Sequence, residues 1–258
     1  MVAARPGRID RLQHTIRLAL RAMAHGLLDQ LFPWACVGCE RAANFALCDR
    51  CLAGVRWIAE PLCPRCGLPL ASPPSHLCGR CLTRPPAFSR LRAIACYRPS
   101  EERDPLGIAL RALKYAGRRA LAQPLSTLLA DRFPFDPSGY DLIAPVPLHI
   151  ERLRSRGFNQ ALLLAREPGR RFGLSIDPGL IVRVRSTPPQ VGLDEAERRR
   201  NVRRAFALRA GRTVGGCRIL LVDDVCTSTA TAEACANLLV DEGAASVDVL
   251  VVARALLH

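Results

Sequence analysis

The apolar positions of this 258-residue chain change their spacing near residue 88. Beyond it, short apolar runs alternate with segments whose apolar residues recur every three or four positions. Short runs bounded by turn residues are typical of buried strands, and the longer period is typical of amphipathic helices. Their alternation predicts an α/β domain with a mainly parallel sheet. The predicted strands are 91–97, 141–146, 180–184, 218–222 and 247–252, and the predicted helices are 106–115, 120–133, 159–172 and 231–242.

Two stretches of this region have a weaker pattern. Residues 186–198 are polar and contain proline, which predicts a loop, and 194–206 is predicted to be a strongly charged helix or a loop followed by a helix. Pro168 lies inside the predicted helix 159–172, where its ring and missing N–H can interrupt the helix.

The start of the chain has the period of an amphipathic helix over residues 8–31, with arginines mostly off the apolar stripe. Such a helix packs on the rest of the protein, lies on a membrane or binds a partner. A third interpretation is an arginine-rich transit peptide, which Asp10 and Asp29 argue against. The stripe consists of Ile9, Leu12, Ile16, Leu20, Met23, Leu27 and Leu31.

Composition adds a strong positive charge. The formal net charge is +14, so phosphates, nucleic acid or a membrane surface are expected partners. Lys114 is the only lysine, and a charge made almost entirely of arginine indicates a compositional bias. No signal peptide and no apolar run of membrane-spanning length is visible, which favours a reducing cytoplasm for the 12 cysteines.

Eight of those cysteines form four Cys-x-x-Cys pairs. One pair places two sulfurs on one side of a Zn²⁺ ion, and a second pair completes a tetrahedron of thiolates. We therefore predict two structural Zn²⁺ sites, most simply with the pairs joined in sequence order, although the spacing also allows a cross-braced arrangement. A segment this short needs the metal to fold. The pairs are Cys36/Cys39, Cys48/Cys51, Cys63/Cys66 and Cys78/Cys81.

Several arginines lie among these pairs and form either a phosphate-contacting face or an ordinary solvated surface. The cysteine segment ends at Arg84-Pro85-Pro86, a linker by composition. The predicted organisation is an amphipathic helix over 1–33, a double zinc ribbon over 34–86 and an α/β domain over 87–258. The arginines are Arg41, Arg50, Arg65, Arg80 and Arg84.

The segment 218–231 combines a buried strand, two adjacent carboxylates, a loop of hydroxyl residues and a helix. Ligands of open parallel sheets bind beyond the carboxyl ends of the strands. A helix N-terminus and loop N–H groups suit a phosphate, while Asp223 and Asp224 can accept bonds from two vicinal ribose hydroxyls and attract Mg²⁺. The pattern therefore predicts a sugar phosphate site.

These residues resemble the phosphoribosyl-diphosphate motif of type I phosphoribosyltransferases, which has a strand, two acids and a Thr-Thr-Gly-x-Thr loop. Thr229 stands where that family has glycine, and a side chain there can crowd the phosphate or require a strained backbone. The resemblance implies a type I phosphoribosyltransferase fold, with Asp223 and Asp224 as catalytic acids and Mg²⁺ as a cofactor. It implies binding of phosphoribosyl diphosphate by Asp223, Asp224, Thr227, Ser228, Thr229, Ala230 and Thr231.

Further stretches are similar to the ComF-type (GntX-like) competence family, which joins an N-terminal cysteine zinc module to a phosphoribosyltransferase domain. They are 113–115, 145–148, Arg152, 156–160, Arg185 with Thr187 and Gln190, and 200–206. The resemblance implies that residues 186–204 form a mobile loop that closes over the sugar. It also implies a pyrophosphate site that includes Lys114, Arg152, Arg156, Gly157, Asn159 and Gln160.

Two classes of function follow. The first is a phosphoribosyltransferase with an unidentified acceptor, acting in DNA uptake or utilisation. The second is a non-catalytic competence factor that holds single-stranded DNA, with other DNA-uptake proteins as partners and the sugar phosphate site as a binding or regulatory module. The aromatic content of 5% argues against base stacking, whereas the many arginines favour phosphate contact. A ligand-responsive transcription regulator is a weaker alternative, because no helix-turn-helix pattern is visible.

Overall fold

A mainly parallel sheet is the centre of the fold. The computed structural model describes residues 34–43, 45–71, 76–185, 197 and 204–256. Within them, six strands form one sheet in the order β3-β4-β10-β9-β5-β6, in which β3 is antiparallel to β4 and the other neighbours are parallel. Two further pairs, β1-β2 and β7-β8, are antiparallel. The strands are β1 (Trp34–Ala35), β2 (Ala42–Ala43), β3 (Arg56–Trp57), β4 (Arg90–Tyr97), β5 (Leu142–Pro145), β6 (Ser175–Ile176), β7 (Ile181–Arg183), β8 (Phe206–Leu208), β9 (Arg218–Cys226) and β10 (Ser246–Ala255).

Helices and the cysteine segment cover both faces of this sheet. One face packs against α3, α4 and α6, and the other packs against α7 and the second half of the cysteine segment. Burial on both faces explains why β9 and β10 are almost continuously apolar. The predicted α/β class with a mainly parallel sheet behind a cysteine-rich region is confirmed. The helices are α1 (Asp49–Ala53), α2 (Gly79–Thr83), α3 (Pro105–Tyr115), α4 (Ala122–Asp131), α5 (Ile150–Arg156), α6 (Gln160–Phe172) and α7 (Ala230–Asp241).

The cysteine segment is joined to the sheet by backbone hydrogen bonds. β3 extends the sheet beyond β4, with Trp57 opposite Ala95. On the other side of the segment, the Leu91 N–H donates to the Arg65 carbonyl at 2.7 Å. These bonds hold the cysteine segment directly against the α/β domain.

Some elements differ from the sequence prediction. β9 continues past residue 222 to Cys226, so Asp223 and Asp224 lie inside the strand and pair with β10. Phe206, predicted to end a charged helix, begins β8 instead, because it pairs with Arg183 of β7. The amphipathic helix over 8–31 and most of the 186–204 loop lie outside the described residues. No helix in the described ranges is long and apolar enough to cross a membrane.

Helix α6 runs through Pro168 without interruption, contrary to the expectation. Proline cannot donate to the carbonyl four residues earlier, which belongs to Leu164. The buried Ser126 hydroxyl on α4 donates to that carbonyl at 2.7 Å and accepts from the Glu167 N–H at 3.0 Å. A neighbouring helix thus replaces the hydrogen bond that Pro168 removes.

We predict that Ser126→Ala lowers the free energy of unfolding by about 1–3 kcal/mol, because it leaves a buried carbonyl without a donor. The same substitution should cost less in a Pro168→Ala background, where the alanine N–H can bond the Leu164 carbonyl. Urea unfolding of the four proteins measures the difference. An equal cost in both backgrounds would contradict this account of the helix.

Candidate functional site

The two adjacent acids lie at the carboxyl edge of the sheet and face opposite sides of β9. Asp224 is buried and lies on the α3 side, where the Lys114 Nζ is 3.0 Å from its Oδ1. Asp223 lies on the α7 side, where its charge acts on Cys235 and Arg183. Consecutive residues of a strand point to opposite faces, so each carboxylate has its own surroundings. Lys114, expected near the pyrophosphate, is therefore a partner of the acid pair.

Burial and mutual repulsion govern the ionisation of this pair. Burial and the neighbouring Asp224 raise the pKa of Asp223 to about 8, although Lys114 opposes them. Burial alone would lower the pKa of Lys114, but the carboxylates of Asp224 and Asp223 raise it. The ion pair with Asp224 thus favours the charged form of Lys114, while burial favours the neutral form of Asp223.

The loop that follows β9, residues 227–231, has an unusual backbone at Thr229. This residue has φ 58° and ψ −6°, in the left-handed region that favours glycine. Its hydroxyl donates to Glu233 Oε1 at 2.6 Å and makes no capping bond at the start of α7. Thr229 thus has a backbone conformation that glycine adopts most readily, although the residue is threonine.

Two buried oxygens of this region have no hydrogen-bond partner among the described residues: Asp224 Oδ2 and Ser228 Oγ. Both belong to the predicted site. A cavity of about 50 Å³ lies beside the loop and is lined by Asp223, Val225, residues 226–232 and Val251. Buried polar atoms in folded proteins nearly always have partners, so these two indicate a place for a polar ligand or water.

The residues expected to bind pyrophosphate divide into two groups. Arg156 donates to Gln160 Oε1 at 2.6 Å, and its guanidinium is 5.9 Å from the centre of the exposed Tyr115 ring, next to Lys114. The Asn159 side chain, by contrast, donates to the Val146 carbonyl and accepts from the Ala161 N–H, so it caps α6. Gly157 ends α5 with φ 79°. Gly157 and Asn159 thus shape the connection between α5 and α6. That the predicted pyrophosphate residues bind a ligand stays a prediction.

Arg183 joins this region although the sequence analysis did not select it. Burial and the nearby charge of Arg152 lower the pKa of Arg183, while Asp223 acts in the opposite direction. Arg152 and Asp223 therefore both act on Arg183 electrostatically. A wider groove of about 560 Å³ is lined in part by Arg183, Gly157 and Asn159. The sequence around Arg183 gives no indication of this position, because the position depends on the pairing of Arg183 with the distant His149.

Arg80 reaches the same loop from the cysteine segment. Its Nη2 donates to Glu233 Oε1 at 2.5 Å and also to the Thr229 hydroxyl. The sequence predicts either a phosphate-contacting face or a solvated surface for the ribbon arginines, but the Arg80 side chain is only 22% exposed and bonds the α/β domain. Arg50, at the equivalent place between Cys48 and Cys51, is exposed, so the spacing of the motif could not separate the two.

The eight cysteines form two separate groups of four in sequence order, as the simplest pairing predicts. The first cluster is Cys36, Cys39, Cys48 and Cys51, and the second cluster is Cys63, Cys66, Cys78 and Cys81. The Sγ atoms of each cluster lie within 4.8 Å of one another, with one 3.6 Å pair in each. Four thiolates around Zn²⁺ at about 2.3 Å would be about 3.8 Å apart, so both clusters fit a tetrahedral zinc ion.

The ionisation of the thiols also fits a bound dication. Despite burial, backbone N–H groups lower the pKa of Cys36 to about 6 and that of Cys63 to about 7. Burial and the neighbouring cysteines raise the pKa of Cys66 to about 11, against the opposing charge of Arg254. Four thiolates cannot all ionise together without a cation, and Zn²⁺ supplies that charge.

Arg254 connects the second cluster to the end of β9. It is buried on β10 and donates from Nη1 to the Cys66 carbonyl at 3.1 Å and to the Cys226 Sγ at 3.2 Å. A buried cation beside four thiolates offsets part of the net negative charge of a zinc-loaded cluster. The second cluster and the acid-bearing strand therefore share one buried arginine.

We predict two zinc ions per purified chain, and one in Cys63→Ser, because each cluster has its own four ligands. Elemental analysis by plasma mass spectrometry measures the ratio. Cys217→Ser is the control, since Cys217 lies outside both clusters and its loss should leave two ions. One ion or none in the unmodified protein would refute the two-site assignment.

The raised pKa of Asp223 predicts a pH-dependent stability. Its folded pKa of about 8 exceeds the unfolded value of about 4, so the ligand-free native state binds more protons between these limits. Stability from this residue is then present below about pH 4 and is lost as the pH rises toward 8. Asp223→Asn should therefore gain stability relative to the unmodified protein across this window. Urea unfolding of both proteins at several pH values tests this, and a constant difference would contradict it.

Known proteins resemble this chain in its cysteine segment and over most of its length. The sequence model of the double zinc ribbon domain matches residues 27–82. Among solved structures, the glutamine phosphoribosylpyrophosphate (PRPP) amidotransferase from B. subtilis, complexed with ADP and GMP, is 19% identical with a TM-score of 0.35, over 60% of this chain and 28% of that chain.

Two curated relatives align over nearly their whole length. The DNA utilization protein YhgH of Salmonella typhimurium is 36% identical over 228 residues, which are 86% of this chain and 96% of that protein. Competence protein F of Haemophilus influenzae is 30% identical over 233 residues, which are 87% of this chain and 98% of that protein. With these matches, the chain belongs to the ComF-type family of DNA utilization protein YhgH and competence protein F.

Proposed function

We propose that the acid pair and the 227–231 loop bind phosphoribosyl diphosphate with Mg²⁺, and that the protein is a cytoplasmic phosphoribosyltransferase of DNA utilisation or uptake. The observation that carries this proposal is a pair of buried oxygens without a partner among the described residues: Asp224 Oδ2 on the α3 side of the end of β9, and Ser228 Oγ in the loop before α7. A ligand with both sugar hydroxyls and a phosphate would satisfy both oxygens.

The phosphate of the sugar is proposed to bind at the start of α7. This helix has 12 residues, and its first N–H groups receive no bond from the Thr229 side chain. N–H groups without a partner inside the helix and the helix dipole both favour an anion at this end. The hydroxyl of Ser228 is the side-chain donor best placed for the same phosphate, because it is buried and unpartnered among the described residues.

The ribose is proposed to lie against the acids. Its vicinal hydroxyls can each donate a hydrogen bond to a carboxylate oxygen. Asp224 Oδ2 offers one acceptor, and Asp223 offers another once a bound cation favours its ionised form. Lys114 holds Asp224 in place through the 3.0 Å contact to its other oxygen.

The donor set also fits Mg²⁺, which prefers carboxylate oxygens and retains several waters. Asp223 and Asp224 would hold the ion directly or through water. Such a cation would neutralise part of the charge of the diphosphate as it leaves. Its charge would also favour the ionised form of Asp223, whose pKa is otherwise raised.

Arginines beyond the acid pair are proposed to receive the diphosphate. When the bond between ribose C1 and the diphosphate oxygen breaks, negative charge moves onto the diphosphate, and fixed cations stabilise it. Arg183 and Arg152, which act on each other electrostatically, are two candidates for this role. Arg156 is the third candidate on this side.

The relatives' names associate them with DNA utilization and competence, and we extend that role to this chain. A non-catalytic single-stranded DNA-binding protein is the alternative. Its ribbon face would be formed by the exposed Arg41, Arg50 and Arg84, without Arg80, whose guanidinium bonds the 227–231 loop. This alternative, with other DNA-uptake proteins as partners, would use the fold only to bind.

We predict saturable 1:1 binding of phosphoribosyl diphosphate in the presence of Mg²⁺, measured by calorimetric titration. Asp223→Asn with Asp224→Asn should weaken it by about 100-fold or more, because two charged hydrogen-bond partners are lost. The control is Asp241→Asn with Glu242→Gln, an adjacent exposed acid pair at the other end of α7, which should bind normally.

Thermal unfolding checks that the double variant remains folded. Equal affinity in the variant and the unmodified protein would reject the site. Absence of binding in the unmodified protein would reject the ligand and favour the DNA-binding alternative, which titration with a single-stranded oligonucleotide then tests.

A further inference from the structure

Arg80 occupies a position that links the second cluster to the 227–231 loop. It lies on α2 between Cys78 and Cys81, so folding of the ribbon around its ligands places its backbone. Its guanidinium then crosses to the α/β domain and bonds Thr229 and Glu233. One side chain of the ribbon thus contacts the backbone-strained residue of the proposed phosphate site.

Thr229 needs such support because its backbone is left-handed. This region is unfavourable for any residue except glycine, and a β-branched side chain is among the least suited to it. Thr229 is nevertheless 3% exposed, with its hydroxyl donating to Glu233 and accepting from Arg80. The three residues form a closed hydrogen-bond triangle that opposes a return of Thr229 to an ordinary conformation.

Glu233 adds an electrostatic reason for the same contact. It lies in the first turn of α7, at the end where a phosphate is proposed to bind, and its carboxylate would repel that phosphate. The 2.5 Å ion pair with Arg80 offsets this charge. Arg80 therefore supports both the shape and the charge of the loop.

The first cluster provides an internal comparison. Arg50 holds the matching place between Cys48 and Cys51, yet it is exposed. The first cluster also packs into the opposite core, with Cys36 and Cys51 in the same apolar group as Leu106 of α3. The two ribbons therefore have similar ligand spacing and different surroundings.

We propose that Arg80 is a positioning residue that holds Thr229 in the left-handed conformation typical of glycine. The second zinc ribbon would then support the conformation of the 227–231 loop. The effect of Arg80 on ligand affinity rests on the proposed function, whereas its effect on the order of the 227–231 loop does not. Arg80 touches no ligand in this account and acts through Thr229.

The first test is amide hydrogen exchange of residues 227–231, followed by nuclear magnetic resonance in the ligand-free protein. Arg80→Ala should speed exchange at these amides by roughly tenfold or more, because a local opening becomes easier. Arg50→Ala should leave them unchanged. Zinc content is measured in both variants and should remain at two ions. Unchanged exchange in Arg80→Ala would overturn the proposal, whether or not any ligand binds.

The second test is rescue by glycine. If the unmodified protein binds phosphoribosyl diphosphate, Arg80→Ala should weaken the affinity by roughly tenfold and Arg50→Ala should not. Thr229→Gly in the Arg80→Ala background should recover most of the loss, because glycine adopts the left-handed conformation without support. Normal affinity in Arg80→Ala, or no recovery in the double variant, would overturn the positioning role. If Asp223→Asn with Asp224→Asn abolishes binding while Arg80→Ala does not weaken it, the proposed function stands and only the role of Arg80 is rejected.

Discussion

The ion pair between Lys114 and Asp224 allows two adjacent carboxylates to lie at the end of a buried strand. A parallel sheet covered on both faces offers little water there, and burial disfavours the charged form of an acid. One lysine balances one carboxylate, while burial and the neighbouring Asp224 raise the pKa of Asp223. A bound cation or a set of sugar hydroxyls would stabilise the second carboxyl group, that of Asp223. The acids at the strand end therefore suit a ligand that brings a cation or hydroxyl groups.

Two arginines connect the second cluster to the α/β domain, one from each side. Arg254 extends from the sheet to the Cys66 carbonyl, and Arg80 extends from the ribbon to Glu233 and Thr229. The ribbon therefore packs as part of the core under the loop, together with Phe88 and Leu91. A zinc ion that orders this ribbon would also order the residues on which the loop depends.

Local patterns predicted much of this molecule because their causes are local. Cys-x-x-Cys spacing identified both clusters, and the alternation of apolar periods predicted the parallel sheet. Arg80 and Glu233 are 153 residues apart, and no spacing rule connects them. Similarly, the sequence leaves open whether Pro168 interrupts the helix, because the Ser126 hydroxyl that replaces its bond belongs to another helix. The predicted strand 218–222 is shorter than β9 because acids are uncommon in buried strands. The lysine that stabilises these acids, Lys114, lies on α3. The resemblance to the ComF-type family draws attention to Lys114, but nothing in the sequence pairs it with Asp224.

The most direct measurement of the central claim is amide chemical-shift mapping of the zinc-loaded protein during titration with ribose 5-phosphate. This compound has the sugar hydroxyls and the phosphate but lacks the diphosphate. The account predicts that the largest saturable shifts fall on residues 223–231, at the end of β9 and the start of α7. Shifts confined to other surfaces, or no saturable shifts at millimolar concentration, would contradict the claim that this loop is a sugar phosphate site.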